Sequence, residues 1–148
     1  MSNWTIITAD NLKASGHGAV IDKARSTAIG GIDPVAQEIE SAVARVRRAI
    51  ATGNSLDANP AKVPNSLQAV TIRLAIFALM ERIRFPLSED QKDTKRNDNS
   101  DLIRIHDAKE RVEIPDDIAA GDAEIQNNPS PSIRRKRRQF TNRTMDGI

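Results

Sequence analysis

Cysteine is absent from the 148 residues, which excludes disulfides, thiolate metal sites and cysteine nucleophiles. Tyrosine is absent too, and the aromatics reduce to Trp4, Phe77, Phe85 and Phe140. A β-sandwich or barrel draws on more aromatic side chains than that, so a mainly helical fold is favoured. No apolar run approaches the ~18 residues of a membrane-spanning helix, and no signal peptide opens the chain. A soluble protein made inside the cell is expected, with no membrane partner.

Catalytic groups are scarce as well. The two histidines, His17 and His106, lack the three or four converging ligands that a metal site requires. Asp98-Asn-Ser-Asp101 is without the glycine and distal glutamate of a calcium loop. Gly16-His-Gly18 and Gly30-Gly31 lack the spacing and following lysine of a phosphate cradle, and read as turns that permit positive φ. Ser15 and Ser26 are near His17 in sequence, but a serine nucleophile also needs an oxyanion hole. No catalytic, cofactor-binding or metal residue emerges, and the chain is expected not to be an enzyme.

What remains fits one domain that buries roughly 70% of its unfolded surface. Charge is polarised. Residues 133–148 hold six bases (Arg134, Arg135, Lys136, Arg137, Arg138, Arg143) against Asp146, a net of +5, whereas the rest nets −3. The pI of about 9.2 therefore belongs to the tail. Hydrophobic residues, at 39%, fall below the roughly 45–50% of globular domains counted with glycine, so part of the chain lies outside the core.

Thr8 suits the N-cap of a short helix through Leu12, and Ala19 to Ala28 can form another. Asp33-Pro34 opens a strong helix over 34–52, whose stripe of Val35, Ile39, Ala42, Val43, Val46 and Ile50 has helical spacing. Gly53 is its expected stop. Residues 54–65, with Pro60 and Pro64, read as a loop. A second helix runs from Ser66 to Arg84, ended by Phe85-Pro86. Its centre, with Leu74, Ile76, Phe77, Leu79 and Met80, is apolar on every face. Such a helix is surrounded by protein, either centrally in a bundle or against a neighbouring subunit.

Ser88 to Asp101 contains no apolar residue and eight charged ones, the pattern of an exposed loop or a solvated helical turn. Leu102, Ile105 and Val112 then mark a third helix, interrupted by Pro115, with a last turn over Asp116 to Ala120. Beyond Ile125, Asn-Asn-Pro-Ser-Pro-Ser132 leads into Ile133-Arg-Arg-Lys-Arg-Arg-Gln-Phe140. The expected architecture is a small helical bundle over residues 1–125 with an extended basic C-terminal arm over 126–148.

The arm's five consecutive bases suit phosphate contacts or an acidic protein surface, and Phe140 suits an apolar pocket or a base to stack on. A solvated tail is the plain alternative.

Three stretches resemble the head–tail connector (adaptor) proteins of long-tailed bacteriophages. They are Asp33-Pro-Val-Ala-Gln-Glu-Ile-Glu-Ser-Ala-Val-Ala-Arg-Val-Arg-Arg-Ala, Val63-Pro-Asn-Ser-Leu67 with the helix ending Met80-Glu-Arg-Ile-Arg-Phe-Pro-Leu87, and Asp101 to Val112 followed by Ile118 to Ile125. The resemblance spans residues 33–125. Members commonly carry Tyr or Arg-Tyr where this chain has Ile105-His106. It implies a twelve-subunit ring beneath the portal, with a tail or stopper protein below and DNA passing the lumen without sequence-specific contact. It also implies a place at the virion neck after assembly in the host cytoplasm, and a C-terminal segment that reaches the portal. On that reading Arg134, Arg135, Lys136, Arg137, Arg138 and Phe140 bind the portal, and Leu74, Ile76, Phe77, Leu79 and Met80 pack subunits. The alternative function is a small nucleic-acid-binding regulator with a basic tail, although no helix–turn–helix spacing supports it.

Overall fold

The computed structural model describes residues 1–119, and the fold is mainly helical. The arm, with Arg134 to Arg138 and Phe140, lies outside the described residues.

Strand β1 (Trp4–Ile6) pairs antiparallel with β2 (Lys62–Pro64), in the register Trp4↔Pro64, Thr5↔Val63, Ile6↔Lys62. The expectation of a plain loop over 54–65 is thereby corrected: three residues are too short to display strand alternation. So small a ribbon is marginal by itself. Trp4 holds it: the indole is buried, its Nε1–H donates to Glu113 O (3.0 Å), and the Arg47 guanidinium lies 5.7 Å from the ring centroid.

Thr8 caps α1 (Ala9–Leu12), and its N–H donates to Asn11 Oδ1 (2.8 Å). A wide turn then bends at Gly16, φ 87°, into α2 (Gly18–Ser26). Gly30 and Gly31, at φ 88° and 75°, reverse the chain towards α3 (Pro34–Ile50). Asp33 accepts from Val35 N–H (3.0 Å), so cap and proline start α3 together, as the sequence predicts. The expected stripe faces the core: Val35, Val43, Val46 and Ile50 are buried and Ile39 is half-buried.

A single 3-10 turn (Asn65–Leu67) leads into α4 (Gln68–Arg82). This helix packs against α3 above all, and also against α1, α2, α5 and β2. Of the two explanations for an all-round apolar helix, the chain itself supplies the central one. Arg84 closes α4 in the left-handed region, φ 55°, while Phe85 N–H reaches Met80 O (2.8 Å) and Arg84 N–H reaches Glu81 O (3.0 Å). The two bonds are those of a Schellman cap built without glycine.

Helix α5 (Glu89–His106) decides between the two readings of Ser88 to Asp101: the segment is not an exposed loop, and it is most of a long helix rather than one solvated turn. Ser88 Oγ accepts from Gln91 N–H (3.2 Å) while Gln91 Oε1 accepts from Ser88 N–H (2.9 Å), a reciprocal cap. Glu89 and Asp90 occupy the first turn, Arg104 and His106 the last, in the sense the helix dipole favours. Pairs three residues apart, Glu89–Lys92 (2.6 Å) and Asp93–Arg96 (3.0 Å), add small increments. Asp98, buried without an apolar neighbour in sequence, is held by Arg73 through two bonds of 2.9 and 2.6 Å.

The helix ends at His106, so Val112 does not continue it, and Asp116 and Asp117 form a bend before a bridge at Ile118 rather than a helical turn. Ile118 bridges Asp57, Ala58 N–H donates to Asp117 O (2.7 Å), and Ala119 N–H donates to Leu56 O (2.9 Å). The loop before β2 supplies this segment with backbone partners, which a helical turn would forgo.

Candidate interaction surfaces

The five apolar residues assigned to subunit packing lie inside the chain. Leu74, Ile76, Phe77, Leu79 and Met80 are each at most 5% exposed. Their faces meet α3, α2 and α5 of the same molecule. A neighbour would have to touch other side chains.

Those are available. Ile29 (95% exposed) and Ile32 (63%) flank the glycine pair before α3, Phe85 (54%) follows α4, Ile103 (60%) is on the outer face of α5, and Ile114 (67%) precedes Pro115. Ile103 borders a shallow groove between α3 and α5, whose other walls include Arg45, Arg48 and His106.

The more developed concavity, about 530 Å³, lies on the other side of α3. Ala36, Ile39, Val43 and Ala44 form its floor, at the spacing of one helix face. Ile7 and Ala9 make one wall, and Pro60 and Ala61 the other. Its charged groups are Asp33 and Glu40, and no base lines it. Asp33 is paired with Arg25 (2.9 Å), whose hydrogen bond is the chief reason its carboxyl is held below the usual range. Glu40 is exposed and has no partner among the described residues. The sequence signal for this groove was the second set of small residues on α3, Ala36 and Ala44, beside the core stripe.

A polar hub sits behind the Pro60–Ala61 wall. Asp57 is 1% exposed; Oδ1 accepts from Asn59 N–H (2.9 Å), and Oδ2 faces Lys62 Nζ at 3.7 Å. Arg47 donates to the carbonyls of Asp57, Asn59 and Lys62 at 2.8–3.1 Å. These bonds hold a loop without regular structure against α3. The hub is architecture: backbone groups meet Arg47 and Asp57 Oδ1, while the buried Asp57 Oδ2 accepts no hydrogen bond among the described residues and has only the Lys62 ammonium opposite it.

Among the described residues the groups singled out for chemistry do not converge. Ser15 Oγ is 3.2 Å from His17 Nδ1 but donates to Leu12 O at 2.6 Å, and no carboxylate orients the imidazole. His106 meets Asp107, whose carboxyl is lowered first by Lys109 and then by His106, on open surface. Asp98 of the faint calcium pattern is committed to Arg73. Among the described residues no cluster of His, Asp or Glu could hold a metal ion, and no helix is long and apolar enough to cross a membrane. No protein-family model, curated protein or solved structure matches the chain.

Proposed function

We propose that the chain is a structural head–tail connector (adaptor) subunit of a tailed phage or phage-like particle, without catalytic activity or cofactor. The observation that carries this reading is a core closed within one chain together with large apolar side chains left outside on several elements. Ile29 and Ile32 project before α3, Phe85 after α4 and Ile103 from α5. Unlike patches on different faces suit head-to-tail contacts, which close into rings when the rotation permits. The order of motifs over residues 33–125 supports the same reading. In it, about twelve copies ring the DNA channel beneath the portal and above a tail or stopper protein. The basic arm reaches the portal, and the ring belongs to the virion neck. Because α4 is covered within the chain, the ring contact is assigned to the exposed isoleucines and Phe85.

The test is the mass of the purified full chain, alone and with portal-containing heads, beside its mobility with a labelled DNA duplex at physiological salt. A monomer that becomes a large ring on heads, and leaves the duplex unshifted, supports the connector. A dimer that shifts the duplex overturns it in favour of a nucleic-acid-binding regulator.

A further inference from the structure

The groove on α3 and the sequence of the arm are complementary in three respects. The first is charge: Glu40 is, among the described residues, the groove's unpaired carboxylate, Asp33 is an acid shared with Arg25, no base lines the groove, and Arg134 to Arg138 are five consecutive bases. The second is apolar content. The floor of Ala36, Ile39, Val43 and Ala44 needs side chains to cover it, and the arm brackets its bases with Ile133 and Phe140. The third is spacing. Asp33 and Glu40 are two helical turns apart, ~10 Å along α3, and three residues of extended chain, from Arg134 to Arg137, cover about the same distance.

The place where the described chain stops makes the contact reachable. Ala119 is bonded to Leu56 and Ile118 to Asp57, only a few residues before Pro60 and Ala61 in the groove wall. Four residues of chain separate Asp57 from Ala61, at most ~14 Å. The thirteen residues 120–132, if flexible, have a root-mean-square span of ~20 Å. A tether of that span gives its end an effective concentration in the millimolar range, so a modest contact suffices to hold it.

We infer that this groove is a binding surface for residues 133–140 of the same chain. The apolar floor takes Phe140 and Ile133, and Glu40 and Asp33 face the bases between them. In the free subunit the arm rests on its own body, and any partner that uses the arm must displace it. The inference goes beyond the connector reading and does not depend on it.

The absence of cysteine permits a direct test. A nitroxide on Gln139→Cys in the full chain reports its neighbours by broadening isotope-labelled methyl signals. Ile7, Ile39 and Val43 should lose most of their intensity, and Ile105 and Leu79 should keep theirs. Ala36→Lys with Ala44→Lys, both on exposed helix positions, should restore the lost signals while the melting temperature stays near that of the parent. Raising the salt should restore them in part. Unbroadened groove methyls, or broadening that survives the two lysines, would overturn the inference. So would broadening seen only when spin-labelled and isotope-labelled chains are mixed, since the occupant would then be a second copy.

Discussion

Gly53 approaches Ala108 so closely that a methyl group on the glycine would sit 2.9 Å from the alanine Cβ. Gly53 therefore does not act as the left-handed stop that its position after α3 suggests; it makes room for the turn after α5. Ala108 itself has φ 56°, with its N–H on Ile105 O (3.0 Å) and Lys109 N–H on Arg104 O (2.9 Å). That is a second Schellman cap with a side chain where glycine is usual.

Gly53→Ala should accordingly lose about 1–3 kcal/mol, the range for overpacking. Ala108→Gly removes both the left-handed strain and the methyl, and should gain about 0.5–1 kcal/mol. In the double variant the loss should be largely relieved. A thermal-melt double-mutant cycle reads the coupling; strict additivity would contradict the contact.

Arg73 and Asp98 form the pair that seats α5. Asp98 is nearly enclosed at 4% side-chain exposure, whereas Arg73 is 39% exposed. Removing the arginine strands a buried carboxylate, and removing the carboxylate strands only a cation that water can reach. Arg73→Met should therefore cost more than Asp98→Asn, about 2–4 against about 1–2 kcal/mol after allowance for screening. Equal losses in denaturant titration would refute the asymmetry.

At the start of α3, Asp33 has a depressed carboxyl pKa, chiefly through its hydrogen bond from Arg25 and also through Val35 N–H. A depressed folded-state value contributes stability above the unfolded value near 3.9, and that stability is lost as pH falls through the folded value. Asp33→Asn keeps a capping oxygen but not the ion pair. The melting temperatures of parent and variant should differ modestly at about pH 6, and the gap should close toward about pH 2. A gap that widens on acidification would show the sign to be wrong.

An exposed loop over Ser88 to Asp101 would tolerate an insertion, whereas helix α5 should not. Inserting two Gly/Ser residues at Asn97 rotates everything beyond it by ~200°, which swings Leu102 and Ile105 off the core while Asp98 loses its alignment with Arg73. The melting temperature should fall sharply. Ser88→Ala, by contrast, should cost only about 1 kcal/mol through the lost cap. An insertion without thermal effect would return the segment to a loop.

The contrast between α3 and α5 shows what a sequence displays. Helix α3 declares itself because burial demands a periodic apolar stripe, and Val35, Val43, Val46 and Ile50 answer to it. The centre of α4 declares itself differently, as an apolar run on every face. In α5, burial falls on Asp98, Leu102 and Ile105, and a paired aspartate looks like a surface residue until Arg73, 25 positions away, is known to face it. The signal that was present, Ser88 with Gln91 three residues on, was local and lay outside the apolar pattern. Strands β1 and β2 were hidden for a related reason: three residues paired across 58 positions leave no periodic trace. The groove on α3 was half legible, since its floor is sequence-local and its walls arrive from elsewhere.

Under the connector reading, truncation after Gln126 removes the arm and spares every contact that anchors the described chain, including Ala119 on Leu56. The shortened protein should fold with an unchanged melting temperature yet fail to join portal-containing heads. Phe140→Ala should weaken joining by about 1–3 kcal/mol, as loss of a buried aromatic anchor does. Replacing Arg134 to Arg138 with glutamine should weaken it most at low salt, where screening is least. These changes separate two roles for the arm. If it docks on a portal, Phe140 matters and the salt effect is partial. If it binds DNA phosphates, the glutamines abolish binding and Phe140→Ala leaves it intact. Tailed, infectious particles built from the truncated protein would eliminate docking altogether, because nothing then joins the arm to assembly.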